Sequence, residues 1–165
     1  MQRYNLKIVF EDAGEFHPEI LDTPEKAYHY MQGAFDEYPM QEAFYVVALN
    51  RKNRPLGRYR ATIGTATASL VHPREVFRPL VLAGASAFIA SHNHPSGDPT
   101  PSRADIVITK RLAEAARVMD INLLDHVIVG DRKADPLHCG YYSFSDHGLC
   151  PQLEPYQKEH YAHPA

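Results

Sequence analysis

The strongest constraint on how this 165-residue chain folds is the short apolar run Ala85-Ser86-Ala87-Phe88-Ile89-Ala90-Ser91, which leads into His92-Asn93-His94-Pro95. Its length and the turn-forming residues around it predict a buried strand rather than a helix. His92 is expected at the end of that strand. Side chains two apart on an extended backbone point the same way, and Pro95 biases His94 toward extended dihedrals. Both imidazoles therefore face one point, where they can share an ion, and Asn93 points away.

The residues that follow complete the pattern H-x-H-x7-S-x2-D with Ser102 and Asp105. Thr100 reads as an N-cap and Pro101 as the first residue of a helix running to about Met119. Ile108, Leu112, Ala115 and Met119 form its apolar stripe, and stepping back along it reaches Asp105 and then Ser102. A carboxylate facing inward needs a partner. His92, His94 and Asp105 would give a tetrahedral zinc three protein ligands and one open position, the arrangement of a catalytic site rather than a structural one. The same S-x-x-D also reads as a capping box, in which Ser102 and Asp105 satisfy backbone donors. Other metal classes fail on spacing. H-E-x-x-H is absent, as are the H-x-E and P-C-x-x-C of zinc deaminases. Ser96 and Gly97 stand where a binuclear H-x-H-x-D-H pattern needs Asp and His.

Further stretches belong with this motif: Glu42 ahead of Phe44-Tyr45-Val46-Val47-Ala48-Leu49-Asn50, Pro73-Arg74-Glu75-Val76-Phe77, Ser96-Gly97-Asp98-Pro99 and Leu124-Asp125-His126-Val127-Ile128-Val129-Gly130. Together they resemble the RadC family of bacterial proteins, within the JAB1/MPN/Mov34 (JAMM) metalloenzyme class, over about residues 24 to 149. The resemblance implies a single α/β domain of the JAB/MPN, cytidine-deaminase-like kind, a mixed sheet flanked by helices. It also implies a zinc-dependent hydrolase cutting peptide or isopeptide bonds, with His92, His94 and Asp105 as zinc ligands, Glu42 as general base and Ser102 as the hydroxyl that stabilises the oxyanion. Eukaryotic members carry Ser or Thr between the histidines; Asn93 matches the RadC-like subfamily. Local spacing does not single out Glu42, and Glu75, Glu37 and Glu25 are its rivals. The implied partner is a peptide or an isopeptide-linked protein.

A DNA-repair role is the alternative, because the RadC family carries that label. Arg51, Lys52, Arg54, Arg58 and Arg60 put five basic residues into ten positions. A solvated hairpin tip accounts for them as well, and the net charge of -3 gives no global case for nucleic acid. Many RadC-like chains carry an N-terminal helix-hairpin-helix region, whereas residues 1–22 read here as a strand and a linker, which weakens the DNA reading. Without an apolar run of membrane-spanning length or a signal-peptide pattern, a soluble cytoplasmic protein is expected. Cys139 and Cys150 are expected as reduced thiols, and a second metal on His138, Cys139 and Cys150 lacks a fourth ligand.

The remaining elements follow from periodicity and turn signals. They are a strand at 4–11, a helix from Pro24 to about Glu37 capped by Thr23, a strand at 43–50, a hairpin returning over 58–70 and a helix at 73–84. A strand at 123–130 and a closing segment at 141–144 complete the domain over 23–149, and 150–165 read as a disordered tail. Asp125-His126 reads either as a core pair or as a partner of the metal ligands. Residues 132–140 look like an insertion with no assignable role.

Overall fold

The computed structural model describes residues 19–63 and 71–150. Its elements are α1 (Pro24–Tyr30), β1 (Ala43–Leu49), β2 (Pro55–Ile63), α2 (Pro73–Leu82), β3 (Ala87–Asn93), α3 (Arg103–Met119), β4 (Asn122–Val129) and β5 (Tyr141–Ser143). The strands form one mixed sheet in the order β2-β1-β3-β4-β5. β1 pairs antiparallel with β2 and β3, β3 pairs parallel with β4 through the α3 crossover, and β5 closes antiparallel on β4. The strand expected at 4–11, the part of the β2 return beyond Ile63 and the tail from 151 onward lie outside the described residues.

Every residue of β3 is buried, as a central strand covered on both faces requires. Alternate side chains build two cores. Phe88 and Ala90 join Phe44, Val46 and Ile128 beneath Leu80 of α2 and Leu112 and Ala116 of α3. Ala87 and Ile89 join Val47, Leu49 and Val127 beneath Ala27 and Met31. β4 stays in phase through a bulge, since Phe88 pairs with Leu123 and Ile89 with Asp125. The extra residue, Leu124, brings His126 onto the same face as Ala90 and His92.

Several expectations need correction. α1 ends at Tyr30 and not near Glu37; turns follow, with Gly33 at φ 75°. The apolar rhythm misleads because these turns still bury Met31, Ala34 and Phe35 against the same face as Ala27. α3 is capped by Ser102, so Thr100 and Pro101 precede it. Its buried side is Asp105, Thr109, Leu112, Ala113 and Ala116, with Met119 43% exposed, so the stripe is rotated from the one expected. His92 lies inside β3, one residue before its end. Cys150, expected to begin a tail, is buried, and its Sγ faces the Leu123 carbonyl.

Candidate metal centre

The candidate metal centre lies at the carboxyl end of β3. His92 projects from the strand toward α3, and His94 follows just past it, its backbone N–H donating to the Val129 carbonyl at 3.0 Å. Asp105 comes from the first turn of α3. Its Oδ1 lies 3.2 Å from His92 Nε2, its Oδ2 lies 3.5 Å from His94 Nε2, and the two Nε2 atoms are 3.1 Å apart. One ligand atom from each of the three lies within 4.8 Å of the others, and no other residues form such a group among those described.

The capping reading and the metal reading of S-x-x-D turn out to be compatible. Ser102 Oγ accepts from Asp105 N at 3.2 Å, and Asp105 Oδ2 accepts from Ser102 N at 2.7 Å. That reciprocal box fixes the carboxylate's position, while its oxygens still face the imidazoles. Ser102 Oγ keeps a hydrogen that this box does not use.

Donor and acceptor bookkeeping settles both tautomers. Thr109 Oγ1 is 2.6 Å from the Asp105 carbonyl, which can only accept, so Thr109 donates its one hydrogen there. The contact of 2.6 Å between Thr109 Oγ1 and His126 Nδ1 must then be donated by the imidazole. Burial holds the fully enclosed His126 well below the ordinary histidine pKa, and the charge of His92 adds to this, so the ring is neutral and its Nε2 is a bare acceptor. His92 Nδ1, 2.8 Å away, therefore carries the hydrogen of that bond. His94 Nδ1 donates to the Asp98 carbonyl at 2.8 Å. Each ring thus carries a hydrogen on Nδ1, and in its neutral form presents an Nε2 lone pair toward the other ring and the Asp105 carboxylate.

That donor set fits a divalent cation. It also explains the local electrostatics. Burial alone lowers the His94 pKa, but hydrogen bonds to Asp105 and Asp98 and the charges of Asp105 and Glu42 outweigh it and leave His94 raised. Burial alone raises Asp105, and the two imidazoles reverse this to hold it far below the carboxylate range.

Glu42, half-buried at the entrance to β1, is the glutamate whose charge reaches His94. Its rivals have other neighbours: Glu75 pairs with Arg78, Glu25 with His29, and Glu37 with the Tyr38 hydroxyl. Asp125 and His126 part company across the sheet. Asp125 is bound by Ser143 Oγ and the backbone N–H groups of Ser145 and His126, and burial raises its pKa despite those donors. His126 faces the candidate metal ligands through its contact with His92. Thr109 escaped the sequence reading, although a hydroxyl four residues beyond Asp105 on the buried side of α3 was a visible sign.

Residues 132–140 form a loop held together by Asp135, and the residue just before them contacts the loop that carries His94. Buried Asp135 accepts from the backbone of Leu137, Cys139 and Gly140 at 2.9, 2.8 and 2.7 Å, and Asp131 N donates to the Gly97 carbonyl at 2.7 Å. Cys139 is exposed and Cys150 buried, and both are free thiols; burial pushes Cys150 up to about 12. In the basic hairpin, Arg58 donates to the Tyr30 carbonyl and Arg60 to the Tyr38 hydroxyl, each guanidinium lying over the ring of the same tyrosine.

A mixed sheet that delivers H-x-H from a central strand onto an aspartate at the head of the crossover helix defines a domain of the JAB kind. Residues 21–149 match the model of the RadC-like JAB domain, and the chain belongs to that family. It is similar to a UPF0758 protein of Thermotoga maritima, 44% identical over 131 residues that make up 79% of this chain and 55% of the relative. A UPF0758 protein of Geobacillus thermodenitrificans is 55% identical over 93 residues, 56% of this chain and 41% of the relative. One from Caldanaerobacter subterraneus is 50% identical over 108 residues, 65% and 46%. The chain thus spans about half the length of the curated relatives it matches.

Proposed function

We propose that this domain is a single-zinc hydrolase that cleaves amide bonds in peptides or isopeptide-linked proteins. The reading rests on one observation: the Nε2 atoms of His92 and His94 converge on the Asp105 carboxylate. These three groups would hold a zinc ion, which would supply Lewis acidity and lower the pKa of a water at the site to about 7. Glu42 accepts the proton of the attacking water and returns it to the leaving nitrogen. Ser102 directs its unused hydroxyl hydrogen to the oxygen that gains charge during attack, and losing one such donor costs about 100- to 1000-fold in turnover. His126 and Thr109 hold the His92 tautomer that leaves Nε2 free.

Amides are favoured over phosphodiesters because phosphoryl displacement commonly uses two metal ions, and one ligand cluster is present among the described residues. Arg58 and Arg60 are engaged with Tyr30 and Tyr38, which weakens the case for a nucleic-acid-binding hairpin. The test couples metal analysis to a hydrolysis screen over peptides, isopeptide conjugates and DNA, with and without chelator. Chelator-sensitive cleavage of amides is the expected result; chelator-sensitive DNA cleavage with inert peptides would replace this reading with a repair function.

A further inference from the structure

Asn93 stands between the two histidines but faces the opposite side of β3, and it is 7% exposed. Its Oδ1 accepts from Ala43 N at 2.8 Å, and its Nδ2 donates to the Gln41 carbonyl at 3.0 Å and the Tyr38 carbonyl at 3.3 Å. One backbone donor and two backbone acceptors fix the orientation of the carboxamide without ambiguity. Gln41 and Ala43 are the neighbours of Glu42 in the chain, so the amide grips the backbone on both sides of the glutamate. Tyr38, the third anchor, is held in turn by Arg60. A backbone link therefore runs from the strand that carries His92 to the segment that carries Glu42, which lies fifty residues earlier in the sequence.

We propose that Asn93 is the positioning residue for Glu42, setting where its carboxylate stands relative to the metal centre. The proposal rests on the hydrolase reading for Glu42's role as base, while the clamp itself concerns geometry. A purely space-filling residue would not need the three hydrogen bonds that the amide makes. Serine, with one donor and a shorter reach, cannot bridge both sides of Glu42.

The test is a double-mutant cycle read on zinc affinity, which requires no substrate. Wild type, Glu42→Gln, Asn93→Ser and the double variant are titrated with zinc against a chromogenic chelator at fixed pH, and Ala43 amide exchange is followed in each. Asn93→Thr replaces the serine variant if the latter does not fold. Glu42→Gln is expected to weaken zinc by about threefold in the wild-type background, the scale of a partly exposed charge pair. In the Asn93→Ser background that effect should vanish, and the Ala43 amide should exchange faster. An equal Glu42→Gln effect in both backgrounds, or none in the wild type, overturns the positioning role while leaving the metal reading intact. Failure of the wild type to bind zinc overturns the metal reading itself and the proposal with it.

Discussion

Thr109 reaches His92 through two hydrogen bonds by way of His126. Its hydroxyl has one hydrogen and gives it to the Asp105 carbonyl, so His126 must donate to Thr109 and accept from His92. Thr109→Val keeps the shape and removes the oxygen, which leaves the buried His126 Nδ1–H without a partner at a cost of about 1–3 kcal/mol. Turning His126 to its other tautomer would set two donors against each other unless His92 also moved its proton to Nε2, the ligand atom. Zinc affinity should fall about 10- to 100-fold in Thr109→Val and stay near wild type in Thr109→Ser. Chelator competition measures the first effect, and ring nitrogen chemical shifts of His92 report the second. Asp105→Asn and Glu42→Gln separate ligand from base. An amide oxygen still caps α3 but binds zinc poorly, so Asp105→Asn should fold and lose zinc. Glu42→Gln should hold one zinc at saturation and lose roughly 100- to 10,000-fold in turnover. Full zinc occupancy in Asp105→Asn would return that aspartate to capping alone, and full activity in Glu42→Gln would move the base elsewhere.

Among the elements, the loop 94–100 depends on a close approach at Gly130. A Cβ built there would lie 2.3 Å from the Gly97 carbonyl oxygen and 2.9 Å from Pro99 Cδ. Gly130→Ala must therefore displace backbone between His94 and the start of α3, with overpacking strain of about 1–3 kcal/mol. Weaker zinc binding with an unchanged far-ultraviolet circular dichroism spectrum is expected; unaltered affinity would mean that the loop yields without moving His94. This dependence also marks how far sequence could reach. The buried strand, the His pair and the inward Asp105 were legible because period-two and helical spacing are local properties of 85–94 and 102–119. The α1 boundary was not, because buried turns through Met31, Ala34 and Phe35 imitate helical spacing. Nor was the N-cap of α3, where Thr100, Pro101 and Ser102 offer competing local signals and the reciprocal bonds of Ser102 with Asp105 decide. Glu42 came from family resemblance, since what ties it to the site is tertiary contact through Asn93.

In the whole molecule, the candidate metal centre joins the end of β3 to the head of α3, with Val129 of β4 holding the His94 backbone and Glu42, at the entrance of β1, adding its charge to those that raise His94. None of the described helices is long and apolar enough to cross a membrane. Metal removal should therefore be felt globally as lost stability, and its size should depend on pH. His94 has a raised pKa in the metal-free fold, so the stability from its charged pairing with Asp105 is fully present below about pH 6.5, the unfolded value, and is lost as pH rises through the folded one. Zinc needs the unprotonated Nε2 and must displace that proton in acid. His126, held neutral by burial, loses stability as pH falls below the unfolded value whether or not zinc is bound, so its contribution cancels from the difference. The zinc-dependent rise in Tm should accordingly be small near pH 5.5 and grow toward pH 8. With free zinc at a thousand times Kd, it should approach about 4 kcal/mol, or roughly 10 °C for a domain of this size. Calorimetric scans with zinc and with chelator at each pH measure it directly. A zinc-dependent shift that is the same at both ends of the range would show that His94 does not exchange its proton for the metal.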